Sequence, residues 1–412
     1  MTTITACRLC GGPISEFLAL GDQPLANGLE PTREAALGAE RYPLALVRCL
    51  DCGSVQQRHA VDARALFESY PYASGVSASF RAHFDGLAET LTRRFKGEPG
   101  VALDVGSNDG ELVRALRRRG WRACGVEPAG SLAAEARISG APTVQGYWSA
   151  ALAARIVEDF DRRADLVTAC NVFAHDPALP EFLRAVRVAL QPVFGLFVAE
   201  VYYLPNLLRD GAFDAAAYHE HVFSHHVGPL RRHLRSEGFD LLQVEDVATH
   251  GGSIRLWATV GAAGLDWKSE ETGIRAHLER ERDEGLYDPA TYARFGARAQ
   301  KAAAALGEAV RSFRAEGRRV VAYTAPAKLT VQLCAAGLTG AEVEYAVDDA
   351  PIKIGKWIPG AAVPIVAAPR MAAAPPDVVV LGAWNLAEEL LPRLPAGVQV
   401  IVPVPDLRVI QR

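Results

Sequence analysis

The sequence predicts an α/β protein in three parts, with a doubly wound parallel sheet at its centre and a smaller sheet of the same kind after it. Three observations predict this. Short apolar runs alternate with amphipathic helical stretches from about residue 62 to 201, the order of a parallel sheet covered on both faces. The alternation then gives way to a long charged, alanine-rich stretch and starts again at RRVVAYTA, 318–325. Four of the 7 cysteines lie before Arg58 among turn residues, which sets a small domain apart at the N-terminus. The 412 residues also exceed what one ordinary core holds.

Composition excludes several classes. Lys and Arg number 44 against 48 Asp and Glu, a net charge of −4, and no broad basic field exists for general nucleic-acid binding. The opening MTTITACRLCGG lacks the basic and apolar regions of a signal peptide. No apolar run reaches about 18 residues, so no membrane span is expected. An odd cysteine count without a signal argues against a disulfide scaffold, and a reducing cytoplasm is the expected setting.

The N-terminal part carries two knuckles of one design, Cys7-Arg-Leu-Cys10-Gly and Cys49-Leu-Asp-Cys52-Gly. Each CxxC places two thiolates on a tight turn, and the glycine lets the backbone fold under a metal. Four thiolates suit tetrahedral Zn²⁺, and four protein ligands leave no open position, so the site reads as structural. A redox dithiol or buried free thiols are the alternatives. The 38 residues between the pairs imply an inserted loop.

A helical stretch begins near Asp62, and the central strands follow as VALDVG (101–106), RACGVEP (122–128), ADLVTACNV (164–172) and FGLFVAEV (194–201). The first leads into Asp104-Val105-Gly106-Ser107-Asn108-Asp109-Gly110 and a helix over 111–119, a strand–glycine turn–helix unit that lets backbone approach a ligand. Glu127, followed by Pro128, lies about 20 residues on, where a carboxylate accepts from ribose hydroxyls. Both NAD and S-adenosylmethionine carry that ribose. The GxGxxG spacing of a pyrophosphate turn is missing, and Asp109 would repel a diphosphate but suit a cationic sulfonium. The turn therefore favours S-adenosylmethionine over NAD. Asn171 and His175, in NVFAH at the end of a later strand, fall on the same ligand-binding edge, although His175 could simply cap the next helix with Asp176 and Pro177.

Tyr218-His219-Glu220-His221, with His225 and His226 close behind, is the densest titratable run. It lacks the HExxH spacing of a helical metal site. On an extended strand His219 and His221 would share a face, so a metal stays open, as does a satisfied polar cluster. The favoured reading is a histidine general base whose tautomer a neighbouring carboxylate fixes.

The third block opens at SIRLWATV, 253–260. Ile274, Leu278, Leu286, Tyr292 and Phe295 then fit helices with one buried stripe, read as a scaffold or dimer pair. Strands at RRVVAYTA, VEYAVDD (343–349), DVVVLGAW (377–384) and VQVIVPVP (398–405) complete a Rossmann-like domain.

These motifs, taken in order, resemble the sugar C-methyltransferases that act on nucleotide-linked 4-keto-deoxysugars in antibiotic and surface-glycan pathways. The resemblance spans nearly the whole chain: both CxxCG knuckles, PLAN (24–27), LFESYPYASGVS (66–77), DVGSNDG, GVEP, NVFAH, YHEH, HGGSIR (250–255), APAK (325–328), IKIGKWIPG (352–360), AWN (383–385) and VPVP (402–405). It implies a zinc-binding domain over 1–62, a Rossmann-like S-adenosylmethionine-dependent methyltransferase domain over 63–248 and a Rossmann-like domain over 249–412 that binds the sugar nucleotide together with the N-terminal domain. It implies His221 as the base, with Tyr218 and Glu220 beside it and Tyr72 (Tyr70 as its neighbour) lining the sugar pocket. Lys328, Lys353, Lys356, Trp357 and Asn385, from its C-terminal motifs, become the expected substrate contacts. The nucleotide is expected to be dTDP, the methylated position carbon 3, and the assembly a monomer or dimer. The chain departs from the pattern after YHEH, where Val222-Phe223-Ser224-His225-His226 replaces a segment with tyrosine and serine, and before APAK, where Ala322-Tyr323-Thr324 replaces glycines. An N- or O-methyltransferase, a zinc-dependent nucleic-acid-binding or RNA-modifying protein, and a non-catalytic regulator that binds the same cofactor are the competing readings.

Overall fold

The computed structural model describes residues 1–68, 75, 77–95, 98–249, 252–261 and 271–412. Three sheets carry the fold, beside a two-residue pair of strands. The central one has seven strands in the order Asp240–Val247, Ser253–Thr259, Leu196–Tyr202, Leu166–Cys170, Val101–Val105, Arg122–Glu127 and Thr143–Gln145. The last five run parallel, and Ser253–Thr259 is antiparallel to both neighbours. In Val101–Val105, Val101, Leu103 and Val105 pack on one face and Ala102 on the other. Helices cover both faces, so the strand reads as a continuous apolar run rather than an alternation.

Chain order along this sheet reverses between Val101–Val105 and Leu166–Cys170, and ligands of open α/β sheets sit at such a reversal, beyond the carboxyl ends of the strands. Gly106–Gly110 and Asn171–His175 both lie there. One expectation changes at this sheet. Ser253–Thr259 is indeed a strand, but it belongs to the central sheet and does not open the third block. Arg255 secures it from within, donating to the fully buried Glu200, which His83 also contacts.

The C-terminal sheet pairs Val320–Tyr323 in parallel with Ala346–Val347 and Val378–Leu381. Three loops therefore leave the same edge, carrying Ala325–Lys328, Lys353 and Ala383–Asn385. The helices Glu271–Asp283 and Pro289–Ala315 connect the blocks, and Ile274, Leu286, Tyr292 and Phe295 are buried as the stripe requires. The long helix approaches the N-terminal sheet so closely that a Cβ on Gly296 would lie 1.9 Å from the Phe17 carbonyl oxygen.

The N-terminal sheet is antiparallel, built from Ile14–Pro24, Arg41–Cys49 and Val55–Gln57, with Phe223–Ser224 added at its edge from 166 residues further along the chain. One core joins this sheet (Leu18, Leu44, Leu46) to the short helix Phe213–Ala216, to Phe295 and to Val321 and Val379 of the C-terminal sheet. Among the described residues no helix is long and apolar enough to cross a membrane.

Candidate active site

A single cavity of about 830 Å³ runs between the three parts of the chain, within the range of small-molecule sites. Its central wall is the glycine turn. Gly106 has φ +67° and a Cβ there would meet Val172 Cγ2 at 2.2 Å, so the turn needs glycine for both conformation and space. Asn108 also lies at positive φ, and its N–H donates to Glu127 Oε2 at 2.8 Å while Ala129 N–H donates to Oε1 at 2.9 Å. Two main-chain donors thus fix the carboxylate and leave each oxygen a lone pair toward the cavity. Burial raises the Glu127, Asp109 and Asp104 carboxyls above their usual range, Asp104 to about 7.

Asp104, Gly106, Asn108, Asp109, Glu127, Pro128, Asn171 and His175 all line this end of the cavity. Asp109 Oδ2 accepts from Gly75 N–H at 2.6 Å, whereas Asp109 Oδ1 and Asn171 Oδ1 are buried with no hydrogen-bond partner among the described residues. Orphaned acceptors beside a carboxylate fixed by two main-chain donors fit a ligand that brings donors and positive charge, as S-adenosylmethionine does.

Tyr218-His219-Glu220-His221 forms neither a helix nor a strand. His221 N–H donates to the Tyr218 carbonyl at 2.9 Å, closing a turn just after the helix Phe213–Ala216. The two imidazoles therefore diverge. His219 Nε2 meets the Tyr42 carbonyl at 3.2 Å, and burial pushes its pKa down to about 4. His221 points into the cavity, with Nδ1 3.0 Å from the Ala215 carbonyl and Nε2 2.6 Å from the Tyr218 hydroxyl. A carbonyl only accepts, so Nδ1 carries a proton, and in the neutral form of the ring the lone pair lies at Nε2. The tautomer is thus fixed by a main-chain carbonyl, where the sequence suggested a carboxylate. Glu220 accepts from Asn27 Nδ2 at 2.7 Å, tying the turn to PLAN in the N-terminal part.

Aromatic rings complete the pocket. His175 stacks between Phe67 and His221 at 5.7 and 5.3 Å, and Tyr202 lies 4.6 Å from the His221 ring. No side chain caps the next helix, Leu179–Ala189; Asp176 Oδ1 accepts from Ala178 N–H in the turn before it. Sequence reading missed Phe67, Tyr202 and Asn27 as site residues. Tyr202 ends a parallel strand next to the one that leads into Asn171, so the strand-end rule could have found it. Tyr70 and Tyr72 lie outside the described residues.

The far wall comes from the C-terminal sheet. Lys328, Lys353 and Asn385 line it, while Lys356 and Trp357 do not. Lys328 Nζ donates to Asn385 Oδ1 at 3.1 Å, and Lys353 Nζ to the Ala325 carbonyl and Asp348. Trp357 instead exchanges two main-chain bonds with Glu30, fastening the C-terminal domain to the N-terminal one. The altered segment after His221 also stays off the cavity wall. Phe223 and Ser224 extend the N-terminal sheet, His225 is sandwiched between Phe173 and Phe223, and His226 bridges Glu281 and the Gly53 carbonyl.

Cys7, Cys10, Cys49 and Cys52 converge away from this cavity with all four sulfurs within 4.8 Å of one another. Cys7 and Cys52 are 3.7 Å apart and Cys10 and Cys49 3.4 Å, against about 3.8 Å for the edge of a tetrahedron with Zn–S bonds of about 2.3 Å. Gln56 Nε2 and Leu9 N–H donate to Cys7 Sγ, and Cys52 N–H to Cys49 Sγ, as suits thiolates. The four residues fit a structural zinc. They are the one such cluster among the described residues, and YHEH contributes to none.

Three family descriptions match successive stretches of the chain. Residues 7–67 match a family described as a zinc binding domain, 78–244 a methyltransferase domain, and 248–405 the C-methyltransferase C-terminal domain. Among characterised proteins, the C-methyltransferase NovU of Streptomyces niveus is 33% identical, over 99% of this chain and 97% of its own length. Solved structures align over less than half of the chain. Magnesium protoporphyrin IX methyltransferase of Synechocystis PCC 6803, with bound S-adenosylmethionine, is 15% identical over 43% of this chain and 78% of its own, with a TM-score of 0.33. PH0226 of Pyrococcus horikoshii OT3 is 17% identical over 49% and 99%, with a TM-score of 0.36.

Proposed function

The chain belongs to the C-methyltransferase family, with S-adenosylmethionine as methyl donor and a zinc-binding N-terminal domain, and from that premise we propose that its acceptor is a nucleotide-linked 4-keto-deoxysugar, carried on dTDP and methylated at carbon 3. One observation carries the reading. A histidine whose basic nitrogen is defined, paired with a tyrosine hydroxyl, lies in one cavity with the glycine turn on one side and Lys328 and Lys353 on the other.

A ketone acidifies the adjacent C–H. His221 Nε2 takes that proton and becomes an imidazolium, whose Nδ1–H stays bonded to the Ala215 carbonyl. Nε2 is free to take the proton once the Tyr218 hydroxyl turns from that nitrogen to the substrate's carbonyl oxygen, where it donates to the developing enolate. S-adenosylmethionine supplies an electrophilic methyl group. Held at the glycine turn, that methyl group would pass to the enolate carbon, the sulfur–methyl electron pair leaving with S-adenosylhomocysteine and the ketone being restored. If the base and the methyl group lie on opposite faces of the sugar, the configuration inverts. The diphosphate carries negative charge that Lys328 and Lys353 would meet. General-base assistance of this kind contributes about 10²–10⁴-fold.

The test is incubation of 4-keto-deoxysugar nucleotides in D₂O, with products followed by mass spectrometry. The wild-type protein is expected to exchange the α-proton without cofactor and to add one methyl with it. His221→Asn is expected to lose exchange and turnover by about 10²–10⁴-fold. Wild-type exchange in His221→Asn would remove the base, and no methyl gain across a panel of such sugars would remove the acceptor class.

A further inference from the structure

The geometry points to Gln57 as a positioning residue for the catalytic turn, through which the zinc-bearing sheet holds His221 and Tyr218 in register; this rests on His221 as the base. The strand Val55–Gln57 is fully buried, and successive side chains on a strand face opposite ways. Gln56 turns toward the metal knuckle, its Nε2 3.1 Å from Cys7 Sγ. Gln57 turns the other way, and its single Nε2 donates to two carbonyls, Tyr218 at 2.5 Å and His221 at 2.9 Å.

Those carbonyls belong to the first and last residues of the four-residue turn, the two whose side chains form the proton-transfer pair. Both partners only accept, so the amide's orientation is fixed. Gln57 N–H also donates to the Val222 carbonyl at 2.8 Å, and Phe223 pairs with Gln56 across the sheet. Two consecutive strand residues therefore connect a zinc ligand to both ends of the turn. Gln57 does not line the cavity, so it acts through the turn and not on substrate. A misplacement of about 1 Å at a reacting group can cost 10²-fold in rate.

Gln57→Leu keeps most of the volume and removes both donors, and Gln57→Glu sets a carboxylate against two carbonyls. In each, kcat and α-proton exchange are expected to fall about 10- to 100-fold, with KM and the affinity for S-adenosylmethionine within about twofold and the zinc content unchanged. The ¹⁵N resonances of His221 in the full-length, zinc-loaded protein are expected to show Nδ1–H as the dominant tautomer in the wild type and a mixture in the variants. Wild-type kcat and an unchanged His221 tautomer in either variant would overturn the inference, as would a fall in activity matched by lost cofactor affinity and lost zinc, which marks general misfolding. Failure of the base reading is seen separately, as an inactive or non-exchanging wild type. The tautomer measurement still decides the part of Gln57 in that case.

Discussion

Asp104 stands at the carboxyl end of the first central strand with the Thr168 hydroxyl 2.6 Å from one oxygen, and it lines the cavity. Burial, and then the charges of Glu127 and Glu200 against the relief from Thr168, raise its pKa to about 7. A cation bound in the cavity favours the ionised form, so binding depresses this pKa. By linkage, affinity for S-adenosylmethionine is then lowest below pH 6 and rises as the carboxyl ionises. Each pKa unit of depression corresponds to a factor of ten. Titration calorimetry is expected to show wild-type affinity climbing by about tenfold from about pH 5.5 to 8, and Asp104→Asn losing that slope while keeping any slope due to the cofactor's own groups. An equal slope in the variant would assign it elsewhere. The sequence revealed Asp104 as part of a turn but not as a group near neutrality, because that property comes from burial and from Glu200, almost a hundred residues away. The partner of the His221 Nδ1 was equally hidden, since every residue carries a main-chain carbonyl and none signals its use.

Elements were legible where their environment was uniform. The parallel strands, buried on both faces, read directly as apolar runs such as VALDVG. The strand Ile14–Pro24 did not, because its side chains are mostly exposed or half-buried and its register slips twice, between Glu16 and Leu18 and between Ala19 and Asp22. Ser253–Thr259 was visible as a strand but not as a member of the central sheet, since pairing is a tertiary choice. The helix Pro289–Ala315 was also visible, yet nothing in its periodicity marked Gly296 as the point of closest approach. Gly296→Ala sets a methyl against the Phe17 carbonyl, and overpacking of this kind costs about 1–3 kcal/mol. A melting temperature lowered by several degrees, with zinc content intact, is the expected result. An unchanged melting temperature would mean that the helix shifts freely away from the sheet.

In the whole molecule the cavity is a joint property of three parts. The glycine turn comes from the centre, Lys328, Lys353 and Asn385 from the C-terminal sheet, and the anchors Asn27 and Gln57 from the N-terminal one. A chain ending at residue 248 would keep the glycine turn and YHEH. It would lose the antiparallel strand Ser253–Thr259 and the Gln332 and Trp384 donors to Asp214, which precedes the Ala215 carbonyl under His221. Such a fragment is expected to lose α-proton exchange completely, and adding residues 249–412 in trans is expected to restore little of it. Exchange at more than a tenth of the full-length rate would show that the base proposed at His221 is held without the C-terminal part.

The bonds that complete the turn also join distant parts of the chain. Asn27 and Glu220 are 193 positions apart, Gln57 and Tyr218 are 161, and Thr330 reaches back 304 to the Ala26 carbonyl. Contacts of this kind form late, because each requires a long loop to close first. During synthesis the N-terminal residues must wait for most of the chain to leave the ribosome before these bonds can form. The nascent protein therefore acquires its zinc knuckles early and its chemistry last.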